Sequence, residues 1–279
     1  MNDFLLKEKL THFLIEDVGA KDVTAETIFS LDEHRTAIFY AKEEGILSGV
    51  NVIQATYGII DSSIIVNTLK CDGEKVNIGE KIAEVSGPIR HILMGERIIL
   101  NLIQRMSGIA TQTALAVKRL NDSNTRICDT RKTTPGLRMF EKYAVTCGGG
   151  YNHRNGLYDG VMMKDNHIVA CGSITNAVRK VRNKLGPMIK IEVETETKDQ
   201  VIEAVEANCD IIMFDNRTPK EIATFIELVP DYIITEASGG ITLETLPTYR
   251  NLGIDYISLG FLTHSVKSLD ISLMIEGGY

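Results

Sequence analysis

Six short apolar runs recur from about residue 127 onward: RICDT, GVMMK, IKIEVE, DIIMFDN, YIITEAS and DYISLG. They are separated by amphipathic segments such as SITNAVRKVRNKL, TKDQVIEAVEAN and TPKEIATFIELV, at a spacing of roughly 20 to 35 residues. Runs apolar on both faces, alternating with helical segments, specify repeated β-α units and a parallel sheet covered on both sides. Polar residues stand at the carboxyl end of nearly every run, which favours a (β/α) barrel over an open doubly wound sheet. No GxGxxG follows a strand, which argues against a dinucleotide site.

The first hundred residues read differently. An opening helix near 3–16 precedes alternating strands in TAIFYAKEEGILSGV and SIIVNTLKCDGEKV and a hairpin-like unit in IGEKIAEVSG. This is the pattern of an α+β domain. The helical stretch IRHILMGERIILNLIQRMSGIATQTALAVKRL links the two parts. We expect an α+β domain over 1–108 and a barrel domain over 109–279, with a final C-terminal helix that also packs on the first domain. The class is α/β.

Charge is confined in a telling way. The chain carries a formal net charge of -7, yet residues 126–167 hold seven Lys/Arg against four Asp/Glu, a local balance of +3. A cationic segment within an acidic protein suits the lining of a pocket for a small anion, whereas scattered charges of this kind otherwise form a solvated face. Without Lys/Arg runs, neither a nucleic-acid nor an anionic-membrane surface is expected. No apolar stretch of about 18 residues and no signal-like amino terminus is present, so a cytoplasmic location is expected. Five cysteines without CxxC or zinc-like spacing suggest neither a disulfide framework nor a structural metal.

In a barrel, side chains at the carboxyl ends of the strands converge on one face. Those positions hold Arg131 and Lys132, Lys164, Glu194, Asp215, the Ser238-Gly239-Gly240 turn and Gly260, and CGGGYNHRNGL adds His153 and Arg154. Arg binds carboxylate or phosphate as a planar fork and Lys acts as a compact charge. The glycine turns would present backbone N–H groups to a phosphate. Glu194 and Asp215 suit a hard, oxygen-liganded cation such as magnesium. Glu192, Glu194 and Glu196 alternate and share a strand face, which is costly in a buried barrel unless they meet cations; an exposed edge strand is the bland alternative. Lys164 fits either a Schiff-base lysine or a salt-bridge partner of Asp165. His153 and His167, each taken alone, more often serve as structural hydrogen-bonding groups.

The motifs DTRKTTPGLRMFEKYAV, CGGGYNHRNGLYDGVMMKDNHI, IEVETET, DNRTPKE, EASGGIT and DYISLGFLTHS, in that order, closely resemble the quinolinate phosphoribosyltransferase family. EDVGAKDVT and ERIILNLIQRMSGIAT fit too, so the resemblance covers nearly the whole chain. It implies an α/β sandwich domain followed by an open, (β/α) barrel-like catalytic domain, and a homodimer as the minimal active unit. It also implies a reaction in NAD biosynthesis in which quinolinate and phosphoribosyl pyrophosphate give nicotinate mononucleotide, pyrophosphate and carbon dioxide, with magnesium and no organic cofactor. Carried over by motif, Arg131, Lys132, His153, Arg154 and Lys164 would surround the quinolinate carboxylates and the pyrophosphate. Glu194 and Asp215 would face the ribose and its magnesium, and Lys132, Lys164, Glu194 and Asp215 would carry the catalysis. Ser238, Gly239, Gly240 and Gly260 would hold the 5-phosphate with His264 nearby, and Arg97 would reach the neighbouring subunit's site. The chain departs from the family's pattern at Lys21, Ile98 and Tyr151, of which Tyr151 stands nearest the expected pocket.

Three other readings are weighed against this one. A related transferase for nicotinate or another aromatic acid lacks a use for the full set of dicarboxylate-binding cations. A Schiff-base aldolase would use Lys164, and a non-enzymatic anion sensor would bind phosphoribosyl pyrophosphate without releasing pyrophosphate.

Overall fold

The computed structural model describes residues 1–277. It divides into two compact units: residues 1–114 with 135–149 and the C-terminal segment from Ser265, and residues 115–134 with 150–264.

The first unit opens with helix α1 (Asp3–Val18), whose Asn2 cap accepts the N–H groups of Phe4 and Leu5 and whose Leu6, Leu10 and Leu14 form one buried stripe. Helix α2 (Val23–Ile28) starts at an Asp22 cap. Strands β1 (His34–Ala41), β2 (Gly45–Ile46), β3 (Ile65–Thr68), β4 (Lys75–Val76) and β5 (Lys81–Pro88) follow, with α3 (Val50–Ile60) between β2 and β3. The 32-residue helix α4 (Ile89–Leu120) runs to the end of this unit and into the next. Helix α5 (Arg138–Cys147) also belongs here, and its fully buried Glu141 takes Arg105 Nε at 2.9 Å and Nη2 at 2.7 Å. Such a buried carboxylate needs that pairing.

The C-terminal segment corrects the expected closing helix. Ile271–Ile275 is a strand, antiparallel to β1 with Ala37 opposite Ile275 and Ala41 opposite Ile271. ISLMI is too short for its periodicity to separate helix from strand, and the partner that decides lies over two hundred residues upstream in sequence. The four-stranded sheet therefore runs in the order last strand, β1, β5, β3.

All six apolar runs are strands in the second unit: β6 (Arg126–Cys128), β7 (Val161–Met163), β8 (Ile191–Thr195), β9 (Ile211–Asp215), β10 (Ile234–Ser238) and β11 (Tyr256–Ser258). The C-terminal strand is thus β12. The sheet is parallel throughout, in the order β6-β11-β10-β9-β8-β7, so β6 and β7 are its two edges and the barrel stays open. Helices α6 (Asp165–Cys171), α7 (Ile174–Arg182), α8 (Lys198–Glu206) and α9 (Pro219–Phe225) intervene. Reciprocal Thr197–Gln200 and Thr218–Glu221 capping boxes start α8 and α9. The last helix, α10 (Phe261–His264), is a single turn after β11. Among the described residues no helix is long and apolar enough to cross a membrane.

Candidate active site

Strand alternation sorts the second unit's side chains into two sets. Ile191, Val193, Ile212, Phe214, Ala237 and Ile257 are buried apolar positions, while the alternate set holds Glu192, Glu194, Met213, Asp215, Glu236 and Ser238. Register places Glu194 beside Met213, Met213 beside Glu236 and Asp215 beside Ser238. Polar groups therefore come together at the carboxyl ends of the strands.

There they line a cavity of about 450 Å³. Its cations are Arg131, Lys132, Arg154 and Lys164, its acids Glu194, Asp215 and Glu236, and the Ser238-Gly239-Gly240 turn closes one side; His153 also borders it. Gly260 and His264 are not among the lining residues but stand beside it. A Cβ on Gly260 would lie 3.1 Å from Lys132 Cδ and 3.2 Å from the His264 ring. Thr263 Oγ1 donates to the Lys132 carbonyl at 2.7 Å, which ties the two loops together. Arg97 is not among the lining residues and is exposed on α4 in the first unit.

The cations are poised for anions. Burial, and next the charge of Arg131, push the Arg154 guanidinium below the usual arginine range, which means that the two guanidiniums repel each other. Arg131 Nε is buried without a hydrogen-bond partner among the described residues. Lys164 Nζ contacts Glu194 Oε1, not Asp165 as the bland reading had it, and the Lys164 backbone N–H donates to His167 Nδ1 at 3.0 Å. Burial raises the Glu194 carboxyl, and the Lys164 contact opposes that rise.

The glycine turn is built from left-handed backbone. Gly239 and Gly240 have φ of 90° and 64°, and Asn216, across the strand ends, has φ of 54°. The Asn216 N–H donates to the Ser238 carbonyl at 2.8 Å and its side chain donates to Asp215 Oδ2 at 2.7 Å.

A census of strand ends misses a more buried group, of which His153, Glu236 and Ser258 also line the cavity. Glu192 and Glu236 are both 3% exposed. His153 Nε2 is 3.0 Å from Glu192 Oε2 and 3.5 Å from Glu236 Oε2, and Ser258 Oγ bonds Glu236 Oε1 at 2.5 Å. Burial, then the Glu192 charge, raises the Glu236 carboxyl well above its ordinary value. Buried Asp129 accepts the His153 backbone N–H at 2.9 Å and Asn152 Nδ2 at 2.6 Å. Among the described residues the one group with metal-like spacing is His153, Glu192 and Glu236, a different set from Glu194 and Asp215.

The shared face of Glu192 and Glu194 is as alternation implies, but β8 is an interior strand and only Glu196, beyond its end, is exposed. Tyr151 lines a second cavity of about 270 Å³ rather than the first. Its ring meets Tyr256 edge-on, with the Arg126 guanidinium 4.9 Å above its face.

A family model described as "Quinolinate phosphoribosyl transferase, C-terminal domain" matches residues 109–274, and its N-terminal counterpart matches residues 22–107. A "Probable nicotinate-nucleotide pyrophosphorylase [carboxylating]" of Bacillus subtilis is 55% identical over 273 residues, 98% of this chain and 94% of that protein. The chloroplastic "Nicotinate-nucleotide pyrophosphorylase [carboxylating]" of Arabidopsis thaliana is 42% identical, covering 97% of this chain and 83% of that protein. The solved structure of NadC from Streptococcus pyogenes superposes with a TM-score of 0.95 at 40% identity, covering 98% of this chain and 97% of that one. Matched along both domains and over nearly all of its length, the chain belongs to the quinolinate phosphoribosyltransferase family.

Proposed function

We propose that the cavity of the second unit is the active site of a carboxylating nicotinate-nucleotide pyrophosphorylase. The chain transfers a phosphoribosyl group from phosphoribosyl pyrophosphate to quinolinate, with loss of carbon dioxide, to give nicotinate mononucleotide and pyrophosphate for NAD biosynthesis. The observation that carries this reading is the gathering of Arg131, Lys132, Arg154 and Lys164 around one cavity. Quinolinate is a dianion and phosphoribosyl pyrophosphate bears still more charge, so only a cationic pocket brings them together.

We assign roles by motif and by position in the cavity. Arg131, Arg154 and Lys164 take the carboxylates, and Lys132 serves the pyrophosphate. The Ser238-Gly239-Gly240 turn, Gly260 and His264 hold the 5-phosphate, whose oxygens suit backbone N–H groups at a tight turn. Glu194 and Asp215 end adjacent strands with hard oxygen donors, which fits a magnesium ion carried mainly by substrate phosphates. Bound there, magnesium would neutralise charge on the departing pyrophosphate. Glu194 and Asp215 also stabilise the positive charge that develops at the ribose carbon as the pyridine nitrogen attacks it. The alkylated nitrogen then accepts the electron pair of the adjacent carboxylate as carbon dioxide leaves.

The active unit is a homodimer to which each subunit lends Arg97, an exposed charge on α4, and the enzyme works in the cytoplasm. The Lys164–Glu194 contact disfavours a Schiff-base role, since such a lysine must become neutral. Formation of nicotinate mononucleotide, identified by mass in a mixture of quinolinate, phosphoribosyl pyrophosphate and magnesium, tests the proposal; no nucleotide product means the assignment is wrong.

A further inference from the structure

Both ring nitrogens of His153 are engaged. Nδ1 accepts the backbone N–H of Arg154 at 2.7 Å, so it carries no proton. The proton of the neutral ring is therefore on Nε2, which faces Glu192 Oε2 at 3.0 Å and Glu236 Oε2 at 3.5 Å. A metal ion on the same three residues would need the Nε2 lone pair. The ring proton would then move to Nδ1 and confront the Arg154 N–H, donor against donor, at 2.7 Å. The geometry thus rejects a metal at this cluster.

We infer that Glu192 and Glu236 are positioning residues: the two buried carboxyl groups hold His153 in its Nε2–H tautomer, and its bare Nδ1 fixes the Arg154 backbone and so the stance of the Arg154 guanidinium. The other supports of this segment agree. Asp129 pins the His153 N–H and the Asn152 side chain, Arg154 Nη1 donates to the Gly160 carbonyl at 3.0 Å, and Ser258 holds Glu236 from the next strand. These contacts together fix the segment that carries the Arg154 guanidinium. His153 acts through Arg154 rather than by offering a ring N–H to a substrate. The inference deepens the reading of Arg154 as a carboxylate-binding residue, and rests on it.

Two readouts test it separately. In ¹⁵N-histidine-labelled protein, with the signal assigned by its loss in His153→Gln, two-bond ring correlations should show His153 neutral with its proton on Nε2. An imidazolium or an Nδ1–H ring in the wild type overturns the inference without any assay. In kinetics, Glu192→Leu should raise the KM for quinolinate roughly ten- to a hundredfold, the scale expected when a binding group is misplaced by about an ångström. The KM for phosphoribosyl pyrophosphate should change less than about twofold on the same grounds, because its phosphates are held by other loops. Glu192→Gln, which keeps an oxygen acceptor toward Nε2–H, should return the quinolinate KM close to wild type. Should Glu192→Leu not fold, Glu236→Leu takes its place. A folded Leu variant with an unchanged quinolinate KM overturns the positioning role while the proposed reaction stands. A wild type that turns over no quinolinate overturns the proposed reaction, and the ring spectrum still decides the tautomer.

Discussion

Replacing Gly239 by alanine should damage this protein more than the same change at either of the other glycines assigned to the 5-phosphate. A Cβ at Gly239 would sit 2.2 Å from Asn216 Oδ1, 2.6 Å from Cγ and 2.8 Å from the Asn216 backbone nitrogen. The side chain can swing aside only by giving up its 2.7 Å bond to Asp215. The backbone nitrogen cannot, because its N–H is committed to the Ser238 carbonyl at 2.8 Å. The φ of 90° adds a left-handed penalty of about 1–2 kcal/mol, and overpacking adds roughly 1–3 kcal/mol. The expected loss is about 2–5 kcal/mol, a fall in melting temperature of roughly 5–15 °C for a unit of this size. Gly240, at φ 64° with no atom within 4 Å of a built Cβ, should lose only the conformational part, about 1–2 kcal/mol. Gly260 has no positive φ, and its Cβ would press on the side chains of Lys132 and His264, which can yield. Gly260→Ala should therefore cost less than about 1 kcal/mol in stability yet raise the KM for phosphoribosyl pyrophosphate. Melting curves of the three variants, with phosphoribosyl pyrophosphate titrations of those that fold, check the series. A Gly239→Ala protein that melts within about 2 °C of wild type, or above Gly240→Ala, refutes the reasoning.

Three further outcomes are expected. Glu194→Ala should lower kcat by roughly a hundred- to a thousandfold with little change in quinolinate binding, whereas Arg131→Ala should weaken quinolinate binding about ten- to a hundredfold; intact turnover in the first would remove Glu194 from the chemistry. If Arg97 serves the partner's site, mixing inactive Arg97→Ala with inactive Glu194→Ala protein should restore part of the activity, and no recovery after verified subunit exchange argues against a shared site. Because the Glu236 carboxyl is raised, the folded protein keeps a proton that the unfolded chain releases near pH 4.3, so folding loses stability as pH climbs through the window above that value. Glu236→Gln removes that loss, and its melting temperature relative to wild type should rise steadily between pH 5 and about 8; a pH-independent difference contradicts the assignment.

How far the sequence discloses this molecule follows from which interactions are local. The six parallel strands and the long helix α4 are legible because each carries its own period and buries its own faces. β12 is not legible, since ISLMI becomes a strand only by pairing with β1 across the chain. Within the site, Arg131, Lys164, Glu194, Asp215 and Ser238 can be found as polar residues ending apolar runs. Glu236 sits two residues earlier inside such a run, and Asp129 ends one as a buried support for another loop, so their roles depend on three-dimensional neighbours. The alternation TEAS, with Glu236 and Ser238 on one face, is the signal that finds Glu236. Tyr151 misleads in the opposite sense: adjacent to Asn152-His153-Arg154 in sequence, it lines the second cavity with Tyr256.

The central claim is that the cationic cavity serves a dicarboxylate that loses carbon dioxide when it is ribosylated. The most direct test measures pyrophosphate and carbon dioxide together, with phosphoribosyl pyrophosphate, magnesium and either quinolinate or nicotinate. Equal release of both products with quinolinate, and of neither with nicotinate, is the predicted result; pyrophosphate release with nicotinate and none with quinolinate contradicts it.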